Sequence, residues 1–109
     1  MSLSTHVLDT TTGRPAVGLA VRLDSADGEG WVEVNAGITD ADGRLSWPAQ
    51  VPGAGSHRLV FATGQWFAAA GIDTFYPQVC VEFTIREAGE HHHVPLLLSP
   101  FGYSTYRGT

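Results

Sequence analysis

Residues Val79 to Arg86 alternate without a break. Val79, Val81, Phe83 and Ile85 take one side of an extended chain, and Cys80, Glu82, Thr84 and Arg86 the other. A period of two is the property of a strand with one buried face. The same period runs through much of the chain. Leu3, Thr5 and Val7 oppose Ser4, His6 and Leu8; Leu19, Val21 and Leu23 oppose Ala20, Arg22 and Asp24; Trp31, Glu33 and Asn35 oppose Val32, Val34 and Ala36. His57 to Thr63 reads as a further strand, with Leu59 and Phe61 on one side, and Leu45 to Trp47 as a short one. Such strands cannot bury their apolar faces alone, so they must stack as sheets.

Turn chemistry separates them. TTTGRPA at 10–16 is punctuated by Gly13 and Pro15, and SADGEG at 25–30 by Asp27-Gly28. TDADGR at 39–44 is a tight polar turn, PAQVPGAG at 48–55 a loop, and Glu87 to Glu90 a hairpin turn around Gly89. Phe75-Tyr76-Pro77 is extended, because proline restricts the residue before it. The one helical stretch is Gln65 to Gly71, where three alanines precede a terminal glycine. About eight short strands at roughly ten-residue spacing, without βαβ alternation, predict an antiparallel sandwich. The 109 residues fit a single domain, 1–109.

The formal net charge of −5 argues against a nucleic-acid or anionic-membrane partner, since both need a basic surface. No apolar run reaches the length of a membrane span. The opening MSLSTHVLD has no basic segment followed by a long apolar one, so a cytoplasmic location is expected, or a periplasmic one if a leader was removed. Cys80 is the single cysteine; it can form no internal disulfide, and its strand setting favours a core role.

The chemistry-bearing residues gather near the two ends. His91, His92 and His93 are consecutive, but on a strand His91 and His93 share one face and His92 points to the other. With Val94, Leu96 and Leu98 inward, His93 lies outward beside Pro95 and Leu97. A zinc site needs convergent ligands; His6 and His57 could complete one, but no spacing requires it. The Thr39–Arg44 turn is oxygen-rich like a calcium loop, yet it has two aspartates and no glutamate at the required spacing. No metal or cofactor is expected. By pattern alone His6 is structural or exposed and Arg44 a solvated turn residue. Phe101 and Tyr103 are core or interface aromatics, and Tyr106 and Arg107 supply terminal packing and surface charge. The apolar and aromatic character of the tail to its last residues predicts that it is built into the fold.

Four blocks go further: LSTHVLDTTTGRPA at 3–16, TDADGR at 39–44, FYP at 75–77 and HVPLLLSPFGYSTYRG at 93–108. In order and spacing they resemble the transthyretin-related 5-hydroxyisourate hydrolase family. The resemblance implies an all-β sandwich of two four-stranded sheets with one short helix. It implies a homotetramer, a dimer of dimers, whose edge strands pair between subunits around a channel. The implied activity is hydrolysis of 5-hydroxyisourate, a cyclic amide formed in urate breakdown, to 2-oxo-4-hydroxy-4-carboxy-5-ureidoimidazoline, without a cofactor. His6, Arg44 and His93 carry over as catalytic residues. These three, with Tyr106 and Thr109, would hold the substrate. His6, Leu8, His93, Pro95, Leu97 and Tyr106 would face the channel. Two positions depart from the family pattern. Thr109 stands where serine is usual and keeps the hydroxyl; His92 stands where tyrosine is usual, on the opposite face. Transthyretin proper shares the fold but lacks the histidines and the YRG ending. A ligand carrier of that type, or a carbohydrate-binding or immunoglobulin-like module, is the rival reading.

Overall fold

A computed structural model describes residues 2–47, 53–87 and 89–109. Nine strands and one helix are present among the described residues. The first sheet contains β1 (Ser2–Asp9), β2 (Arg14–Pro15), β5 (Arg44–Trp47), β8 (His91–Ser99) and β9 (Gly102–Thr105). The second has the order β4 (Gly30–Ile38), β3 (Ala20–Asp27), β6 (Gly55–Phe61), β7 (Val79–Ile85).

The first sheet has five strands but is four positions wide. β8 runs along one edge of β1 for its whole length, while β5 pairs with Leu3 to His6 and β2 with Leu8 and Asp9 on the other edge. The two-residue β2 lies inside the stretch read as the TTTGRPA turn. The expected sandwich of two four-stranded sheets therefore holds, with one position shared by two short strands. One pairing departs from antiparallel order: β1 and β8 are parallel, in register from Ser2↔His91 to Asp9↔Leu98. This joins the two ends of the chain side by side, a contact that no local pattern encodes.

Alternation sets the faces as read. Along β1, Leu3, Thr5, Val7 and Asp9 are buried, and the residues between them are half-buried on the outer face. Along β8, Val94, Leu96 and Leu98 enter the core, and His92 lies inward beside them. Opposite them stand Val21, Leu23, Leu59, Phe61, Val79 and Val81 of the second sheet. Burying each large aliphatic side chain contributes roughly 1.5–3 kcal/mol.

The helix α1 (Thr63–Ala69) begins two residues before the expected Gln65. Its C-terminal signal reads correctly: Gly71 has φ +71°, its N–H donates to Ala68 O at 3.0 Å, and Ile72 N–H donates to Phe67 O at 3.0 Å. This is a glycine-dependent helix stop.

Several expectations need correction. Cys80 is exposed, not core. Val79, Val81 and Ile85 claim the inner face of β7, so the residue between them must point outward. Glu87 to Glu90 is not a hairpin: β7 pairs with β6 in one sheet and β8 with β1 and β9 in the other, so the segment arches between sheets. Glu90 N–H still closes a turn on Glu87 O at 3.0 Å, while Ala88 lies outside the described residues. A hairpin and an arch use the same turn residues, and only the pairing partner differs. Strands β3 and β4 run through most of SADGEG, leaving a turn at Gly28-Glu29. Phe101 is 70% exposed and Tyr103 42%, which removes a core role within one chain. Residues 48–52 of the expected PAQVPGAG loop lie outside the described residues.

Candidate active site

The outer face of the first sheet carries two adjacent rows of polar side chains. In one row Arg44 of β5 pairs with His6 of β1, and His6 with Pro95 of β8. In the next, Ser46 pairs with Ser4, Ser4 with His93, and His93 bridges to Gly108 of the tail. Directly paired residues project to the same side, with Cα atoms about 4.5–5.5 Å apart on neighbouring strands. Strand register alone therefore brings His6, Arg44 and His93 to one patch, although their chain positions span most of the molecule.

The TDADGR turn fixes Arg44. The Asp40 carboxylate accepts N–H bonds from Asp42 at 2.8 Å and Arg44 at 2.9 Å, and Asp40 N–H donates to Arg44 O at 2.9 Å. Those backbone donors hold the Asp40 carboxyl below its usual range. Gly43 docks the turn on β1: its carbonyl accepts from Val7 N–H at 2.8 Å. Gly43 has φ +73°, and a Cβ there would come 2.5 Å from Val7 O. Only glycine meets both conditions, so the turn sits flush against β1 beside His6.

His93 is held on three sides. Ser4 Oγ lies 2.7 Å from its Nδ1. The His91 ring stacks on it, with centroids 6.4 Å apart and planes 16° from parallel. Gly108 lies against its ring carbons, and Gly108 N–H donates to His93 O at 2.8 Å. Burial lowers the pKa of His93. A backbone hydrogen bond of Ser4 works the other way, and repulsion from any positive charge on neighbouring His91, Arg44 and His6 adds to the lowering. Burial thus favours the neutral imidazole of His93.

Ser4, Arg44, His91, His93, Tyr106, Gly108 and Thr109 line a polar cleft of about 350 Å³. The tail reaches it because Thr105 Oγ donates to Pro95 O at 2.6 Å and Arg107 pairs with Glu90 at 2.8 Å. Arg107 points away from the cleft, while Tyr106 and Thr109 face it. His6 stands in the adjoining row, next to Arg44. A more apolar cleft on the other side of the tail, about 300 Å³, is lined by residues including Val81, Phe83, Val94 and Thr105.

His57 is not part of this patch. It is buried in the second sheet, with Nδ1 2.8 Å from Ser25 Oγ and Nε2 2.9 Å from Gly53 O, which makes it a packed core histidine. His92 is buried, with Nδ1 3.1 Å from Glu90 O. Among the described residues no group of three or more His, Cys, Asp or Glu is placed to hold a metal ion. Two residues of the cleft were not singled out from sequence: Ser4, and His91 beyond its shared face with His93. The signal for Ser4 was its position two before His6, on the same side of β1.

The arrangement offers imidazoles that can exchange protons, a guanidinium with planar donors, and hydroxyls, all around a small polar opening. That suits hydrolysis of a compact, hydrogen-bonding ring. Comparison with known proteins points the same way. The sequence pattern of the HIUase/Transthyretin family matches residues 3–108. A 5-hydroxyisourate hydrolase of Salmonella dublin is 50% identical over 109 residues, covering 98% of this chain and 80% of that protein. The structure of Klebsiella pneumoniae 5-hydroxyisourate hydrolase superposes with a TM-score of 0.87 at 40% identity, covering 100% of both chains. Sea bream transthyretin, in complex with thyroxine, superposes with a TM-score of 0.91 at 31% identity, covering 98% of this chain and 94% of that one.

Proposed function

The chain belongs to the HIUase/transthyretin family, and we infer that it is a 5-hydroxyisourate hydrolase, an enzyme of urate breakdown. The observation that carries this reading is the convergence of His6, Arg44 and His93 on one outer face beside the polar cleft. Backbone likeness cannot choose between hydrolase and carrier, since both superpose closely. The side chains favour the hydrolase: imidazoles, a guanidinium and hydroxyls do not suit a ligand held by aliphatic contact.

In the proposed mechanism His6 and His93 position a water molecule against the C6 carbonyl of the substrate ring. One imidazole takes a proton as the water oxygen bonds to C6. The C6–N1 bond then breaks, and an imidazole returns a proton to the departing nitrogen. One water is consumed and the ring opens to a carboxylate and a ureido group. Arg44 holds the anionic heterocycle through its fork of N–H donors and stabilises negative charge developing on the attacked oxygen. Tyr106 and the Thr109 hydroxyl line the substrate's resting place. Burial of His93 favours its neutral, proton-accepting form.

The working form is a homotetramer, built as a dimer of dimers. Two observations support this: β7 and β9 each form one edge of their sheet, and exposed aromatics, Phe75, Phe101 and Tyr103, lie on or near that side. Light scattering on the purified protein reads its mass directly, and a monomer at micromolar concentration would reject the assembly.

The activity is tested by generating the substrate from urate with urate oxidase and following its decay spectroscopically. The protein should accelerate decay well above the spontaneous rate. Decay at the uncatalysed rate would overturn the assignment.

A further inference from the structure

Ser4 touches two imidazoles at once. Its Oγ lies 2.7 Å from His93 Nδ1 and 3.2 Å from His91 Nε2, and the other nitrogen of His91, Nδ1, contacts Ser2 Oγ. The four side chains form one hydrogen-bonded line along the paired strands β1 and β8. A serine hydroxyl has a single proton, so it can donate to only one of its two imidazole neighbours, while its two lone pairs can accept from either. The two imidazoles therefore cannot both present a lone pair to Ser4: at least one must donate an N–H. If the Ser4 proton goes to one imidazole, the other must be the donor.

The rest of the His93 environment gives this line its consequence. Nδ1 is taken by Ser4, one edge of the ring is pressed by Gly108, and the His91 ring lies near-parallel at 6.4 Å. Among the described residues Nε2 has no hydrogen-bond partner, so it is the nitrogen left for substrate or water. Whether Nε2 carries a proton or a lone pair depends on which way the Ser4 hydroxyl points.

We propose that Ser4 is a positioning residue that sets the tautomer of His93: His93 Nδ1–H donates to Ser4 Oγ, and Ser4 O–H donates to His91 Nε2. His93 Nε2 is then a free lone pair. His91 completes the line by donating Nδ1–H to Ser2 Oγ. The exposed His91 acts only as the acceptor that turns the Ser4 hydroxyl away from His93. This rests on the reading of His93 as a catalytic proton acceptor, and it explains why a hydroxyl stands directly opposite His93 on β1.

The test is ¹⁵N NMR of the ring nitrogens in the intact protein at pH 8, combined with steady-state kinetics. In the unmodified protein His93 should carry its proton on Nδ1. In Ser4→Ala the proton should move largely to Nε2, with kcat down about tenfold and KM within about twofold. Ser4→Thr, which keeps the hydroxyl, should restore both tautomer and rate. His91→Phe keeps a stacked ring but removes the acceptor, so it should give a mixture of the two tautomers. A His93 protonated on Nε2 in the unmodified protein, or an unchanged tautomer in Ser4→Ala, overturns the proposal. The two readings fail separately. Full activity in His93→Ala rejects His93 as the proton acceptor. An inactive His93→Ala beside a fully active Ser4→Ala rejects only the role of Ser4.

Discussion

Gly108 lies against the imidazole of His93 so closely that a Cβ on it would sit 2.5 Å from Cδ2 and 3.3 Å from Cγ. The same glycine donates its N–H to His93 O at 2.8 Å. The tail is therefore one wall of the His93 environment, and its approach depends on the missing side chain. Pro95 of β8 crowds the same place, with its Cγ 3.3 Å from that Cβ.

Gly108→Ala should lift the tail from His93 and carry Tyr106 and Thr109 out of place. We expect kcat/KM to fall roughly 10- to 100-fold, as for other small misplacements of a reacting group. The fold should be little affected, since the tail lies on the outer face; the thermal melt should change by no more than about 0.5 kcal/mol equivalent. Wild-type kinetics in this variant would mean that the tail is not part of the working site.

His6→Ala and His93→Ala should each lose about 10²- to 10⁴-fold in kcat, the range expected for removing a proton-transfer group. Both side chains are on the outer face and neither supports the core, so far-UV circular dichroism should match the unmodified protein. A variant that folds and keeps full activity removes that histidine from the mechanism.

Arg44→Lys keeps the charge but loses the planar fork of donors. Substrate decay assays should show kcat/KM reduced about tenfold or more. The turn should survive, because Asp40 grips the backbone of residue 44 and not its side chain. Unchanged kinetics would show that a point charge suffices.

His93 should titrate below the ordinary value of about 6.5. Burial disfavours its charged form in the folded state, so the unfolded chain binds this proton more readily. Stability from this group is complete above about pH 6.5 and is lost as pH falls through the folded pKa. A ¹H NMR titration should place its midpoint under 6.5. A midpoint at or above that value would contradict the burial argument, and with it a neutral His93 in mildly acidic solution.

Leu96 is fully buried in β8, on the face opposite His93. Leu96→Ala should destabilise the fold by about 2–5 kcal/mol through lost burial and a residual cavity. Denaturant unfolding measures this directly. A loss under about 1 kcal/mol would show that the inter-sheet core can collapse around the gap.

Much of this protein was legible from residue order alone. Period-two alternation placed Leu3, Thr5 and Val7 inward and His6 outward, and it separated His93 from His92, because successive side chains of a strand must take opposite faces. Glycine at the αL position of the helix stop gave Gly71, and turn chemistry gave TDADGR. The four sequence blocks carried the family, and with it the expected roles of His6, Arg44 and His93. Alternation even contained the answer for Cys80, whose neighbours Val79 and Val81 leave it only the outer side.

What the sequence could not determine was partnership between distant strands. The parallel pairing of β1 with β8 sets Ser4 opposite His93, and the pairing of β1 with β5 sets His6 opposite Arg44. The same ignorance of partners made the arch from β7 to β8 look like a hairpin. Local periodicity is a property of one chain segment and fixes which way its side chains point. Register is a property of two segments, selected by burying both inner faces in a common core. Only the closed sandwich turns a serine near one end and a histidine near the other into a hydrogen-bonded pair.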